Sequence, residues 1–207
     1  MKKFLDYFLF WFLSLTWGIV MSSIGLIVSL ALLITGHRPK KFGFSFYFEV
    51  GENWGGLELG CIFIVNKNPS EDLLYHESGH TIQNTYLGPL FPFLVGIPSA
   101  IRYWLREKKT LEKKYSFALM VCLIPEAVSV DILITVGFLQ IYNILNLTLF
   151  IFGVFLFIYS GCVSIWLIDK EVPQYKDNYP DYDAIWFEGN ATKTGKRFFL
   201  AKNSPQK

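Results

Sequence analysis

The chain has 207 residues, of which 52% are hydrophobic, 18% aromatic and only 17% charged, with a formal net charge of +2. A soluble globular domain carries about 25% charged residues, so an ordinary soluble enzyme is disfavoured. Apolar content this high also excludes disorder, and the charge balance gives no case for a nucleic-acid partner.

Residues 1–36 read as an N-terminal transmembrane anchor. The apolar run Phe8–Thr35 exceeds a hydrocarbon core of about 30 Å at about 1.5 Å per residue, which allows one tilted span. It is too short for two spans, and far longer than a signal-peptide core of roughly 7–15 residues. His37, at its end among basic residues, is a poor metal ligand candidate.

Residues 37–115 form the next segment. FGFSFYFEV (42–50) alternates strictly, with Phe42, Phe44, Phe46, Phe48 and Val50 on one face. LELGCIFIV (57–65) is a second strand-like run, and the turn-rich stretch 51–56 between them predicts a β-hairpin. Such a hairpin serves either as cover for a neighbouring helix or as an edge that receives an extended peptide. Both roles stay open at this point.

Residues 76–80 read His-Glu-Ser-Gly-His. On a helix, His76 and His80 share one face at i and i+4 and can chelate one Zn2+, while Glu77 stands beside the metal as a base for water. Asn68 is the expected N-cap, with Pro69 at the first helical position and Glu71 as a capping-box carboxylate. Gly88-Pro89 is the expected stop. With three His and ten Glu in the chain, chance supplies roughly 0.002 such motifs. Gln83, one turn beyond His80, is a weak candidate for a substrate or ligand-supporting contact.

Pro89–Leu105 is apolar but interrupted by Pro92, Gly96 and Pro98, which favours an interfacial or re-entrant segment over a clean span. Residues 116–168 supply two spans, Ser116–Ile141 and Leu147–Ile168, broken near Gln140, Asn143 and Asn146. Glu126 and Asp131 fall inside the first of them, where a charge costs about 2.5–3.5 kcal/mol on insertion scales. Cys61, Cys122 and Cys162 are odd in number and far apart, without a CxxC pair, which argues against disulfides or a cysteine zinc site. Basic residues crowd the central segment, from Arg38, Lys40 and Lys41 to Lys113 and Lys114, so that segment is expected to be cytoplasmic. The tail, 169–207, lies two spans later and returns to the same side.

A zinc enzyme needs a third protein ligand and an open fourth position. In the tail the segment YDAIWFEGNAT (182–192) sets Glu188 among aromatic and small residues, as in a docked segment rather than a solvated one. Glu188 is the expected ligand, against the plainer reading of a surface carboxylate; Asp181 and Asp183 are lesser alternatives. Tyr179 and Tyr182 are weak candidates to donate to an oxyanion.

HESGH, a two-span hairpin and then Phe-Glu-Gly-Asn-Ala resemble the membrane metallopeptidases of the gluzincin type, the prenyl-protein-processing and heat-shock-induced proteases, whose HExxH is followed by E-x-x-A-D. The resemblance covers about a third of the chain. It implies His76, His80 and Glu188 as ligands and Glu77 as base. Thr192 stands where the family pattern has Asp, so the carboxylate that would orient a histidine is missing there, with Asp183 or Asn190 as substitutes. The wider string also looks like a group of small bacterial membrane proteins, a likeness that carries no substrate with it.

The expectation is therefore a mostly α membrane protein, with about three transmembrane helices, an interfacial segment and a small β-hairpin near the HExxH helix. Its expected function is a multi-pass zinc metallopeptidase of the cell membrane, cutting a peptide or membrane-protein segment at the cytoplasmic surface. The alternatives are a non-catalytic immunity or chaperone-like protein with a structural zinc site, and a zinc amidase or lipid hydrolase.

Overall fold

Two glycines in the left-handed region redirect the chain between residues 40 and 65. In the computed structural model, which describes residues 2–107, 111–138, 144–166 and 184–203, Gly43 (φ 59°) and Gly60 (φ 76°) each open a two-residue turn. Glycine takes such φ without a Cβ penalty, and tight hairpin turns use it. The run 57–65, expected to be one strand, is consequently folded back on itself, and the run 42–50 gives up Phe42 to a separate strand. β1 (Lys40–Phe42) pairs antiparallel with β2 (Ser45–Glu49), and β3 (Gly56–Leu59) pairs antiparallel with β4 (Ile62–Val65). A parallel β2–β4 ladder, with Phe46 opposite Ile62 and Glu49 opposite Val65, joins them in the order β1-β2-β4-β3. The single hairpin expected across 51–56 is corrected to a four-stranded mixed sheet, because the 51–55 loop carries the chain to the far edge.

Both faces of this sheet are covered. Phe48, Leu59 and Ile62 pack on one side against Trp11, Met21, Val28 and Leu32 from α1 (Lys2–Leu15) and α2 (Ile19–Ile34). Tyr47, Phe63 and Val65 pack on the other against Leu73 and Leu74 of α3 (Glu71–Leu87). The period of two along each strand thus feeds two cores instead of one core and solvent.

The expected straight anchor is not one helix. α1 and α2 meet at a bend of 92° around Thr16–Gly18. Tertiary contacts hold the elbow on the end of α3: Trp17 Nε1 donates to Tyr86 O at 3.1 Å, and Asn84 Nδ2 donates to Gly18 O at 3.3 Å. A Cβ on Gly18 would overlap the Asn84 amide, so the close approach needs glycine. Hydropathy registers none of this.

α3 begins two residues later than the expected cap. Ser70, not Asn68, is the N-cap, its Oγ accepting from Leu73 N at 3.2 Å, while Asn68 sits at φ 53° in the turn before it. Ser70 has the extended backbone a cap requires, and left-handed Asn68 does not. The stop is where the sequence places it, with Gly88 at φ 54°. A 3-10 turn (Gly88–Leu90) and a π-helical turn (Pro92–Gly96) then lead into α4 (Ile97–Glu107).

The chain divides into two compact units, Met1–Ile97 with Asp181–Lys207, and Pro98–Pro180. In the second, α5 (Leu111–Phe138) packs along α6 (Ile144–Trp166). Met120–Gly137 and Ile144–Ser164 are long and apolar enough to cross a membrane. The N-terminal pair would make a third span only as a broken one. Glu126 is half-buried, with Oε1 against Gly161 of α6, whereas Asp131 is exposed. Gln140, Asn143 and Asp169 lie outside the described residues. All three cysteines are free thiols.

Candidate metal centre

Two helical stripes of matched spacing build the site. On α3 the stripe is His76, Gly79, His80 and Gln83; on α7 (Trp186–Asn203) it is Glu188, Ala191, Thr192 and Gly195. Spacings of three, four and seven residues align each set on one helical face. The two faces meet at unusually short range because they present glycine. A Cβ on Gly79 would run into the Ala191 carbonyl, and one on Gly195 into the Tyr75 carbonyl. Aromatic side chains brace the far end of α7, with Phe199 stacked on Phe42 at 4.6 Å.

This approach brings His76, His80 and Glu188 together across 108 residues of sequence or more. Glu188 Oε2 lies 3.1 Å from His76 Nε2 and 3.0 Å from His80 Nε2, and the two nitrogens are 3.1 Å apart. A tetrahedral ion with bonds of about 2.0–2.1 Å separates its donor atoms by about 3.3 Å, close to this triangle. His80 and Glu188 are buried, and the His76 side chain is 13% exposed. The group could hold a metal ion.

The hydrogen bonds behind the triangle orient both imidazoles. Gln83 Nε2 donates to Phe187 O at 2.8 Å and to Asn190 Oδ1 at 3.2 Å, which turns its Oε1 toward His80. Oε1 lies 2.8 Å from His80 Nδ1, and because an amide oxygen only accepts, Nδ1 carries the proton. That tautomer leaves the Nε2 lone pair aimed at the centre of the triangle, as a metal ligand requires. His76 Nδ1 lies 2.9 Å from Thr192 Oγ1. Thr192, the departure from the family pattern, therefore stands where the orienting partner belongs. Asn190 touches Gln83 and Thr194 rather than a histidine.

Charge and burial act against each other in the cluster. Burial alone would lower the His80 pKa, but the Glu188 carboxylate beside Nε2 favours the protonated ring and outweighs it, so the net shift is upward. Three donor atoms this close repel one another unless a cation or protons lie between them. Glu77 points from the same helix to the sheet, buried, its carboxylate lying on Gly56 of β3 where any Cβ would overlap it. Burial pushes the Glu77 carboxyl up, the nearby histidines pull it down and Glu188 adds to the rise; the net direction is upward.

Glu58, two residues along β3 from Gly56 and on the same face of the strand, is a second buried carboxyl near the site. Its Oε1 accepts from Gly60 N at 2.6 Å, and burial pushes its pKa well up, with Glu77 adding to the rise. Sequence reasoning passes over Glu58; its only signal is a lone acid inside the apolar run 57–65. Asp181, Tyr182 and Asp183 lie outside the described residues, as does Tyr179. His37 bonds Thr35 Oγ1 at 3.0 Å at the end of α2. No protein-family model, curated protein or solved structure matches the chain.

Proposed function

We propose that this chain is a zinc-dependent membrane peptidase of gluzincin type, with His76, His80 and Glu188 as ligands and Glu77 as general base. The observation that carries the reading is the 3.0–3.1 Å triangle of donor atoms with His80 fixed as the Nδ1–H tautomer. Among the described residues the metal-capable group has three members, which supports a centre with a free position over a structural site closed by four ligands.

A zinc ion there would polarise a carbonyl and acidify water. Glu77 takes the proton of the attacking water and returns it to the leaving amine. Burial shifts this carboxyl upward, the direction that suits a group asked first to accept a proton and then to return it. Glu77 lies against β3, which ends the order of the described strands. Among the described residues no strand pairs with the outer edge of β3, which supports an extended peptide as substrate, added as a further strand. Two crossings, by α5 and α6, would return the chain to the side of α3, in keeping with the packing of α3 and α7 in one unit. The excess of basic residues in the central segment supports a cytoplasmic side for it.

The test is a comparison of membranes carrying wild type or Glu77→Gln, with zinc content measured on both purified full chains. Equal zinc with cleavage products present only in wild type is the expected outcome. Equal zinc with identical peptide profiles favours the non-catalytic reading, and loss of zinc from neither Glu188→Gln nor His80→Ala would remove the metal centre itself.

A further inference from the structure

We propose that α1 and α2 do not cross a membrane but form an interfacial elbow, which lays its outer apolar face in the leaflet beside the metal site. The reading is independent of the peptidase proposal. It begins from length. Helices of 14 and 16 residues measure about 21 and 24 Å at 1.5 Å per residue, each short of a hydrocarbon core of about 30 Å. The 92° bend removes the possibility of adding them end to end along one axis.

The stronger argument is what the inner faces touch. Tyr7 and Phe10 pack on Phe44, with ring centroids 6.0 and 5.6 Å apart, and Trp11 packs on Phe46 at 5.9 Å. On α2, contact runs from Met21 to Leu32, and Gly25 lies directly on the Leu59 carbonyl. The sheet therefore follows both helices along most of their length. If either helix crossed, the sheet would enter the hydrocarbon with it. Among the described residues its outer strands β1 and β3 have no further strand paired to them, and the Lys40–Glu49 ion pair at 2.7 Å sits on it. Open sheet edges in contact with lipid leave backbone groups unsatisfied at several kcal/mol each and do not occur at that depth.

The outer faces, by contrast, suit a leaflet. Phe4, Phe8 and Phe12 line α1 at successive turns, and Ile27, Leu30 and Ile34 line α2; Ile27 is 71% exposed and α2 carries no charged residue. Arg38 and Lys41 are exposed immediately after α2, where anionic headgroups would meet them. Trp17, half exposed at the elbow, has the amphipathic ring found at such interfaces. A lipid surface is the occupant that matches an apolar face of this extent bordered by cations. The N-terminus then lies on the same side of the membrane as the metal site, not opposite it.

Two measurements on the full-length chain in sealed membrane vesicles test this, with Cys61, Cys122 and Cys162 replaced by alanine. Single cysteines at Lys3, Arg38 and Lys67 are challenged with an impermeant maleimide. All three are expected to label from one face and not from the other; Lys3→Cys and Arg38→Cys labelling from opposite faces overturns the proposal. A nitroxide at Ile27→Cys is expected to relax faster with oxygen than with a water-soluble nickel chelate. The reverse order means an aqueous face. Low access to both, with spin–spin broadening, means a second copy of the chain covers it. Either result overturns the lipid assignment, and Ile27 is exposed enough that the label displaces no packing.

Discussion

Replacing Gln83 tests whether the residues behind the triangle do what their geometry implies. The side chain makes two buried bonds, to His80 Nδ1 and Phe187 O, and a partly buried one to Asn190 Oδ1. Gln83→Leu keeps most of the volume but leaves the Phe187 carbonyl and the His80 N–H without this partner, at about 1–3 kcal/mol for each buried group. The variant should lose about 2–6 kcal/mol of stability. Freed to rotate or change tautomer, His80 should bind metal 10–100-fold more weakly, about 1.4–2.7 kcal/mol. Zinc affinity is read by competition with a chromogenic chelator on the solubilised full chain, alongside thermal unfolding with and without zinc. Gln83→Glu retains an acceptor for His80 Nδ1 and loses only the two donated bonds, so its affinity should stay at or above wild type while its stability falls. Leu and wild-type chains of equal zinc affinity would refute the reasoning, because His80 would then need no partner to hold its lone pair in place.

Gly79→Ala puts a methyl group into the Ala191 carbonyl, and overpacking of this kind costs about 1–3 kcal/mol. Because α7 carries Glu188, a lower melting temperature should come with lost zinc; full zinc occupancy at wild-type stability would show that α3 and α7 can separate freely. Glu58→Gln should stabilise the protein, and more so at pH 8 than at pH 5. Burial raises the folded pKa of Glu58 above its unfolded value, so the unfolded chain gives up this proton first as pH rises and stability falls until the folded group also ionises. Unfolding of both chains across that range checks it, and a constant difference would contradict the assignment. Gly56→Ala pushes a methyl into the Glu77 carboxylate, so any hydrolysis should drop while zinc affinity, set by other residues, is unchanged.

Much of the site is legible because its information is local. His76, Glu77 and His80 lie within little more than one turn, and the 3.6-residue period puts both imidazoles on one face whatever surrounds the helix. Gly88 as helix stop and the apolar stretches in α5 and α6 are likewise read from neighbours in the chain. The cap was misplaced by two residues because Asn68 and Ser70 both suit a cap by type, and only the backbone shows which is extended.

The remainder depends on which surfaces meet. Hydropathy sums residues along Phe8–Thr35 and cannot register that Gly18 lets Asn84 approach, so it reads one straight helix where there are two. Alternation across 42–50 and 57–65 names the faces but not the partner, so it cannot distinguish one hairpin from two joined by a parallel ladder. The composition of the tail could nominate Glu188. Its arrival at the histidines rests on Gly79 and Gly195 clearing the space for two backbones to touch. By itself, then, the sequence determined the HExxH helix, the apolar segments and the short list of ligands, since each follows from spacing along one element. Only the tertiary structure decided the elbow, the sheet order and the closing of the triangle, because close approach is set by the shape of two elements at once.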